Sequence, residues 1–208
     1  LERFSARFAA HGFTRTAMVP VYGLAECSVG LAFPPLGRGP RIDRVKRPAF
    51  TATGKAETAH EGDSGALSFV ECGHPLPRHE IRIVDERGRE LPDRQQGRLQ
   101  FRGPSATSGY LHDPERTQAL FVEDRSEGGS DAWLESGDLA YVAGGGIYVT
   151  GRVKDMVIKA GRNIYPVELE EAVGEVAGIR KGNVAVFGSP DPDSGVERLI
   201  VVAETRER

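Results

Sequence analysis

Alternation of apolar and polar residues between positions 66 and 102 constrains the fold more than any other feature of the sequence. Apolar side chains recur at every second position, the period of a strand with one buried face, at Ile81, Ile83, Leu99 and Phe101. Turn-forming residues follow at Asp85–Gly88 and Pro92–Gln96. The 26 Gly and 13 Pro among 208 residues disfavour a helical bundle. We therefore expect an α+β fold rich in short strands.

Helical signals are confined to short stretches. Apolar spacing ended by Gly12 predicts a helix over residues 1–12. Asp113 followed by Pro114 predicts a helix from Pro114 to about Phe121, and Pro166 opens another. Between positions 34 and 64 the periodicity is poor, and this stretch is interpreted as irregular.

Further strands are expected on both sides of a composition shift near Gly151-Arg152, the candidate domain boundary. A hairpin is predicted around Gly144-Gly145-Gly146, and a loop at Gly128-Gly129-Ser130. The predicted strands are Val19–Tyr22, Leu139–Val142, Ile147–Thr150, Asp155–Lys159, Asn183–Phe187 and Glu197–Ala203.

Composition narrows the protein class. No stretch approaches the roughly 18 apolar residues of a membrane span, and no secretory leader opens the sequence. Cys27 and Cys72 have neither metal-ligand nor disulfide spacing, which is typical of reduced thiols in a cytoplasmic protein. The five His residues also lack metal-ligand spacing.

A basic cluster stands out against the net charge of −3. It consists of Arg38, Arg41, Arg44, Lys46 and Arg47. A solvated face and a docking patch for an acidic partner both explain it. No aromatic residues interleave with these charges, so nucleic-acid binding is not expected.

Four polar clusters could carry chemistry, and each has a structural alternative. Tyr22–Glu26 offers a ring for a flat ligand, a Gly for close backbone approach and a carboxylate for a cation, or is merely a strand end. Ser136–Asp138 offers acceptors for a ribose diol, or a turn-capping Asp. Gly151–Asp155 offers cations for phosphate or surface ion pairs. Gly161–Pro166 is an anion-binding loop before a helix, or a connecting turn.

In combination, these segments and Gly97–Tyr110 resemble the adenylate-forming superfamily of acyl-CoA synthetases, peptide-synthetase adenylation domains and luciferases. The resemblance covers nearly the whole chain. It implies that residues 1–151 are the last part of a large N-terminal domain with a β-barrel-like subdomain. Residues 152–208 would then begin a small, mobile C-terminal α+β domain.

The resemblance also implies site residues. Those near the nucleotide would be Tyr22, Gly23, Leu24, Ala25, Glu26, Asp138 and Arg152. Tyr22 would lie on the adenine of the substrate ATP, and Glu26 would bind the Mg²⁺ that neutralises its phosphates. Asp138 would hold the ribose hydroxyls together with Arg152.

Two further elements of the superfamily concern movement. Lys154 stands at the family's hinge between the two domains. Gly161, Arg162 and Asn163 belong to a loop that would enter the active site after the small domain rotates.

Two departures point to the fatty acyl-AMP ligase branch. Ala25 stands where the family often has Thr before the metal-binding Glu, and 46 residues separate Glu26 from Gly73, where CoA-forming members have far fewer. Members of that branch pass the acyl group to the phosphopantetheine thiol of a carrier protein. The resemblance thus implies activation of a fatty or related acid, followed by acyl transfer to a carrier protein.

Alternatives remain open on the sequence. An acyl-CoA synthetase would use CoA as acceptor, and a non-catalytic interaction module could keep the fold. The superfamily's Ser/Thr/Gly-rich phosphate loop and C-terminal lysine do not occur in these residues. We therefore expect the isolated chain to be catalytically inert.

Overall fold

A five-stranded sheet organises the longer of two compact units in this computed structural model, which describes residues 1–122, 132–159, 162–191 and 197–205. The longer unit comprises Leu1–Phe50 and Gly54–Thr150. The second comprises Thr51–Thr53 and Gly151–Arg208. The assignment of residues 152–208 to a mobile domain stays a prediction.

Short strands and short helices alternate along the chain. The helices are α1 (Glu2–Phe8), α2 (Arg47–Thr53), α3 (Pro114–Leu120) and α4 (Pro166–Gly174). Single 3-10 turns occupy Ala9–His11, Arg15–Ala17, Ala25–Cys27 and Val153–Asp155. The strands are β1 (Ala32–Phe33), β2 (Ile42–Val45), β3 (Leu67–Val70), β4 (His74–Pro75), β5 (Glu80–Val84), β6 (Gly97–Arg102), β7 (Phe121–Val122), β8 (Trp133–Ala143), β9 (Gly146–Arg152), β10 (Val157–Lys159), β11 (Arg162–Ile164), β12 (Ile179–Pro190) and β13 (Glu197–Thr205).

The main sheet has the order β5-β6-β8-β7, with β9 paired to β8, and it curls into a half-barrel. Antiparallel pairing places Ile83 opposite Leu99 and Ile81 opposite Phe101. These apolar positions face a core that also receives Leu134. The predicted strand alternation and the α+β class are confirmed, because burial of one sheet face requires this period.

The other face of the sheet pairs several of its polar groups with one another. Arg82 Nε donates to Gln100 Oε1 at 2.8 Å, and Gln100 Nε2 donates to Glu135 Oε1 at 2.7 Å. The Arg82 and Arg102 guanidiniums lie 4.2 and 4.6 Å from the ring centroid of Trp133. Gln100 is fully buried, and these bonds offset the cost of burying its amide.

A second cluster of rings joins β2, β3 and α2 to the sheet. Phe50 lies 5.0 Å from Phe69, and Tyr141 stacks on Tyr148 at 4.9 Å between centroids. The Tyr141 hydroxyl donates to Asp43 Oδ2 at 2.7 Å, and burial together with this bond raises the pKa of Tyr141. The same carboxylate forms an ion pair with Arg94 at 2.8 Å.

The expectation of an irregular stretch from Pro34 to Ser64 was wrong in part. It contains β2, which pairs with the distant β3, and α2, which starts with Pro48 in its first turn and ends at Gly54 in the left-handed region (φ 71°). Four-residue pairing between segments far apart in sequence leaves little local signal, so the strand was missed.

Two other local expectations also changed. In the described residues Val19–Tyr22 contributes a single bridge, Tyr22 to Ala32, because Pro20 lacks the N–H that a strand ladder needs. The expected strand at Asp155–Lys159 is shorter, since Val153–Asp155 forms a helical turn. The predicted loop at Gly128–Ser130 lies outside the described residues.

Three residues of the basic cluster form hydrogen bonds within the fold. Arg44 donates to the backbone carbonyls of His60, Glu61 and Asp63, and Arg47 Nε donates to Gly65 O at 2.8 Å. Arg38 Nη1 donates to the buried carboxylate of Glu71 at 3.0 Å. The bonds of Arg44 and Arg47 hold the long connection between β2 and β3 in place, whereas the Arg38–Glu71 bond joins the segment before β2 to the residue after β3.

The second unit contains two hairpins and a helix. β10 pairs with β11, β12 pairs with β13, and α4 packs on β12, where Glu170 Oε1 accepts from Val186 N at 3.0 Å. Arg162 and Asn163, predicted as loop, therefore belong to a strand, because residues 162–164 pair with Val157–Lys159. Gly161 lies outside the described residues.

Other local predictions are confirmed. Gly144 and Gly145 have φ values of 57° and 80° in the turn between β8 and β9, as a tight hairpin requires. Asp113 caps α3 by accepting from Arg116 N at 3.0 Å. Within the described ranges, no helix has the length and apolar character needed to cross a membrane.

Removal of the Tyr141 hydroxyl tests the second cluster. Tyr141→Phe is expected to lower the free energy of unfolding in urea by about 2 kcal/mol, since a buried hydrogen bond to a carboxylate is lost. Tyr148→Phe is the matched control, because the described part of the chain shows no hydrogen bond from that hydroxyl. Equal losses in the two variants would contradict the role of the Asp43 bond.

Candidate functional site

A tight reversal between Tyr22 and Ala32 forms the first half of the candidate site. Tyr22 and Ala32 exchange backbone hydrogen bonds of 3.0 and 2.9 Å. Inside the reversal, residues 25–27 form a 3-10 turn, which Cys27 N and Val29 N close by donating to Leu24 O, each at 3.1 Å. Tyr22 and Glu26 are therefore presented by one short, hydrogen-bonded segment.

Backbone crowding inside this reversal explains Gly23. A Cβ on Gly23 would lie 1.5 Å from the carbonyl oxygen of Val29, closer than any contact that side chains tolerate. Val29 itself has φ 76°, an unfavourable conformation for a β-branched residue. From the sequence, Gly23 is expected to allow close approach of a ligand, whereas in the structure the neighbouring backbone of Val29 makes that approach.

The second half of the site is a bulge in β8. Gln100 of β6 pairs with Glu135 and Arg98 pairs with Leu139, so three residues of β8 stand opposite one of β6. Gly137 has φ 77° at the bulge. The Ser136 hydroxyl donates to Leu99 O at 2.8 Å and accepts from Asp138 N at 3.0 Å. Bulges redirect side chains, and this one determines the direction of Asp138.

Tyr22 and Asp138 meet across 116 positions of sequence. The Tyr22 hydroxyl donates to Asp138 Oδ2 at 2.6 Å. Burial, and then the hydrogen bond to this carboxylate, raise the pKa of Tyr22, so the phenol remains protonated and continues to donate. The Tyr22 residue is 8% exposed and packs in the core, which leaves little of its surface for stacking on a ligand.

Glu26 is bound by the segment that follows β6. The Tyr110 hydroxyl donates to Glu26 Oε1 at 2.5 Å, and Thr107 N donates to the backbone oxygen of Glu26 at 2.8 Å. The hydrogen bond to Glu26 is the main cause of a raised pKa of Tyr110. Both the backbone and the side chain of Glu26 are therefore oriented by one neighbouring segment.

A polar chain fixes the start of that segment. His79 Nδ1 lies 3.1 Å from Pro77 O, and a carbonyl can only accept, so this nitrogen carries the proton. In the neutral ring, Nε2 then accepts from the Ser105 hydroxyl at 2.6 Å. The Cys27 thiol and the Ser105 hydroxyl share a further hydrogen bond, with 3.3 Å between Sγ and Oγ. Ser105 thus connects the Ala25–Cys27 turn to His79, the residue directly before β5, through hydrogen bonds.

The residues present fit a nucleotide with one magnesium ion. Mg²⁺ usually takes one or two protein carboxylates and completes its shell with phosphate oxygens and water. Glu26 would supply one such carboxylate, since the phenol of Tyr110 uses a single lone-pair position on it. Among the described residues no group of three or more His, Cys, Asp or Glu could hold a metal alone, so phosphate oxygens would have to complete the shell.

The remaining predicted residues lie around these segments or in the second unit. Leu24 packs against the core and Ala25 is exposed. Arg152 ends β9, and Lys154 is exposed within the Val153–Asp155 turn. Their roles toward a ligand stay predictions.

Sequence reasoning missed Tyr110, Thr107 and His79 as parts of the site. Tyr110 and Thr107 belong to the motif Gly97–Tyr110 that carried the resemblance, so a signal was present without a role attached to it. His79 had no such signal, because its contact with Ser105 is formed by folding.

Similarity to solved structures identifies the class of enzyme to which this fold belongs. The structure resembles a solved structure from a study of fatty acyl-adenylate ligases of E. coli and L. pneumophila, with a TM-score of 0.86 and 30% identity over 99% of this chain and 35% of that one. The fold is thus that of the adenylate-forming enzymes. Residues 1–111 match the AMP-binding enzyme family, and the chain belongs to that family.

The names of similar proteins agree with this family assignment. A putative acyl-CoA synthetase of Caulobacter vibrioides is 37% identical over 96% of this chain and 34% of its own length. The long-chain-fatty-acid–AMP ligase FadD26 of Mycobacterium tuberculosis is 32% identical over 100% of this chain and 35% of its own length. The chain therefore spans about a third of the length of the relatives it matches.

Substitution of Gly23 tests the reversal. Gly23→Ala is expected to lower the free energy of unfolding by about 3 kcal/mol, because its Cβ would meet the Val29 carbonyl and the backbone must move. Gly62→Ala is the matched control, since a Cβ there meets no atom within 4 Å. Urea unfolding measures both, and similar stability of the two variants would contradict the close approach.

Proposed function

We propose that this chain forms part of an enzyme that activates a fatty or related carboxylic acid with ATP, giving an acyl-adenylate and pyrophosphate. The observation that carries the proposal is the Tyr22–Asp138 contact, which unites two motifs of the family in one site. Membership of the AMP-binding family and similarity to FadD26 support the reaction class.

In the proposed reaction the acid's carboxylate attacks the α-phosphate of ATP and pyrophosphate leaves. The substrate carboxylate is already ionised near neutral pH, so no protein base is required. Asp138 would accept hydrogen bonds from the ribose hydroxyls with its two oxygens, and Arg152 would assist. The protein acts mainly by positioning the reactants.

Glu26 would hold Mg²⁺ together with the ATP phosphates. When bound, this ion offsets phosphate charge during in-line displacement. Tyr22 would border the adenine while its hydroxyl orients Asp138. Lys154 would serve as the hinge of the second unit, and the segment of Gly161, Arg162 and Asn163 would approach the nucleotide after rotation.

We further propose that the acyl group passes to the phosphopantetheine thiol of a carrier protein. Ala25 and the 46 residues between Glu26 and Gly73 support this branch. Within that connection, Arg44 donates to the backbone oxygen of His60. Acyl transfer to CoA is the second candidate, favoured by similarity to the putative acyl-CoA synthetase.

Acceptor use distinguishes these candidates. The full-length protein containing this chain is expected to catalyse ATP–pyrophosphate exchange that depends on fatty acid, and to acylate a pantetheinylated carrier protein faster than CoA. Mass spectrometry of both products measures the preference. Rapid acyl-CoA formation would support the CoA branch, and absence of exchange would support a non-catalytic module.

Removal of the Asp138 carboxylate tests its contact with ribose. In the full-length protein, Asp138→Ala is expected to lower kcat/KM for ATP by about 10- to 100-fold, because a charged hydrogen bond is lost. The variant should no longer discriminate ATP from 2′-deoxy-ATP and 3′-deoxy-ATP. Glu80→Gln, which alters a half-exposed carboxylate paired with Arg102, is the control and should keep that discrimination. Unchanged discrimination in Asp138→Ala would remove Asp138 from the ribose site.

A further inference from the structure

We infer that Tyr110 is the positioning residue that fixes the carboxylate of Glu26 for cation binding, an inference that rests on the proposed function. The Tyr110 hydroxyl donates to Glu26 Oε1 at 2.5 Å. A Glu side chain loses rotamer freedom when it is ordered, so a partner that orders it beforehand lowers the free-energy cost of cation binding.

The backbone around Tyr110 keeps Glu26 within reach. Thr107 N donates to Glu26 O at 2.8 Å, and Thr107 Oγ1 accepts from Gly109 N at 3.2 Å. Ser28 Oγ donates to Ser105 O at 3.2 Å. The segment from Ser105 to Tyr110 is therefore hydrogen-bonded at two backbone points to the reversal that carries Glu26. The phenol of Tyr110 adds a bond to the carboxylate itself.

Helix α3 in turn holds Tyr110. Tyr110 N donates to Thr117 Oγ1 at 2.8 Å, and the Arg116 guanidinium lies 4.8 Å from the centroid of the Tyr110 ring. A Cβ on Gly109 would lie 2.5 Å from Thr117 Cγ2, so Gly109 lets the chain pass close to the helix. Helix α3 thus holds Tyr110 by a hydrogen bond to its backbone N–H and by the Arg116 guanidinium on one face of its ring.

The chemistry of a phenol suits this task. Its hydroxyl donates to the carboxylate without adding charge, whereas a Lys or Arg in that place would repel an approaching cation. The bond uses one position on Oε1, and a carboxylate offers about four, so capacity for a cation remains. Tyr110 acts through Glu26 and is a positioning residue.

Cation binding by the full-length protein tests this role. Tyr110→Phe keeps the ring and removes the hydroxyl, and it is expected to weaken Mn²⁺–ATP binding by about tenfold, the loss of one hydrogen bond to a charged group. Water proton relaxation enhancement measures this dissociation constant without turnover. The Mg²⁺ concentration for half-maximal pyrophosphate exchange should rise in parallel.

Tyr141→Phe is the matched control. It also removes a phenol–carboxylate bond, 2.7 Å long, from the ring cluster. It should lower the unfolding temperature and leave Mn²⁺–ATP affinity within about twofold, because its hydroxyl contacts no residue of the proposed site. An equal loss of Mn²⁺–ATP affinity in both variants would overturn the inference.

A double-mutant cycle with Glu26→Ala locates the effect. If Tyr110 acts through Glu26, Tyr110→Phe adds no further loss of affinity in the Glu26→Ala background. Independent, additive losses would overturn the inference. If Glu26→Ala weakens binding and Tyr110→Phe does not, the inference alone is wrong, whereas unchanged affinity in Glu26→Ala rejects the metal assignment in the proposed function.

A second variant covers the case in which Tyr110→Phe does not fold. Thr117→Val removes the acceptor for Tyr110 N at nearly constant shape and should weaken Mn²⁺–ATP binding in the same direction by a smaller factor. Thr117→Ser keeps the hydroxyl and should bind as the unaltered protein does. Equal affinity in the two Thr117 variants would contradict the brace from α3.

Discussion

The hydrogen bond from the Tyr22 hydroxyl to Asp138 is the contact on which the arrangement of the candidate site depends. It joins a reversal near the beginning of the sequence to the middle strand of the curled sheet. Because the bond is short and partly buried, any shift of either segment would leave a polar group without its partner, at a cost of about 1–3 kcal/mol. The position of the reversal and the path of β8 are thus coupled.

Unusual backbone positions make this contact achievable. Gly137 has a left-handed conformation in the bulge of β8. The Val29 carbonyl lies so close to Gly23 that no side chain fits there. Val29 itself holds an unfavourable φ of 76°. Strain of this kind persists where surrounding bonds determine the conformation, here those between Tyr22 and Ala32.

Much of the secondary structure could be predicted, whereas the pairing of distant segments could not. Alternation identified β5 and β6, the Asp113 cap identified α3, and Pro166 identified the start of α4, since these signals act within a few residues. The β2 strand was missed because its four residues depend on pairing with β3. The site motifs were recognised in order, but Tyr110 had no assigned role until folding placed its hydroxyl on Glu26.

By itself, the sequence determined the fold class, the adenylate-forming family and the segments that carry the polar side chains. The tertiary structure decided which of those side chains meet. Local propensity acts over one turn of helix or one strand pair, whereas the partners Tyr22 and Asp138 are 116 positions apart. Their contact follows from the bulge in β8 and the closed reversal, which are properties of the folded sheet.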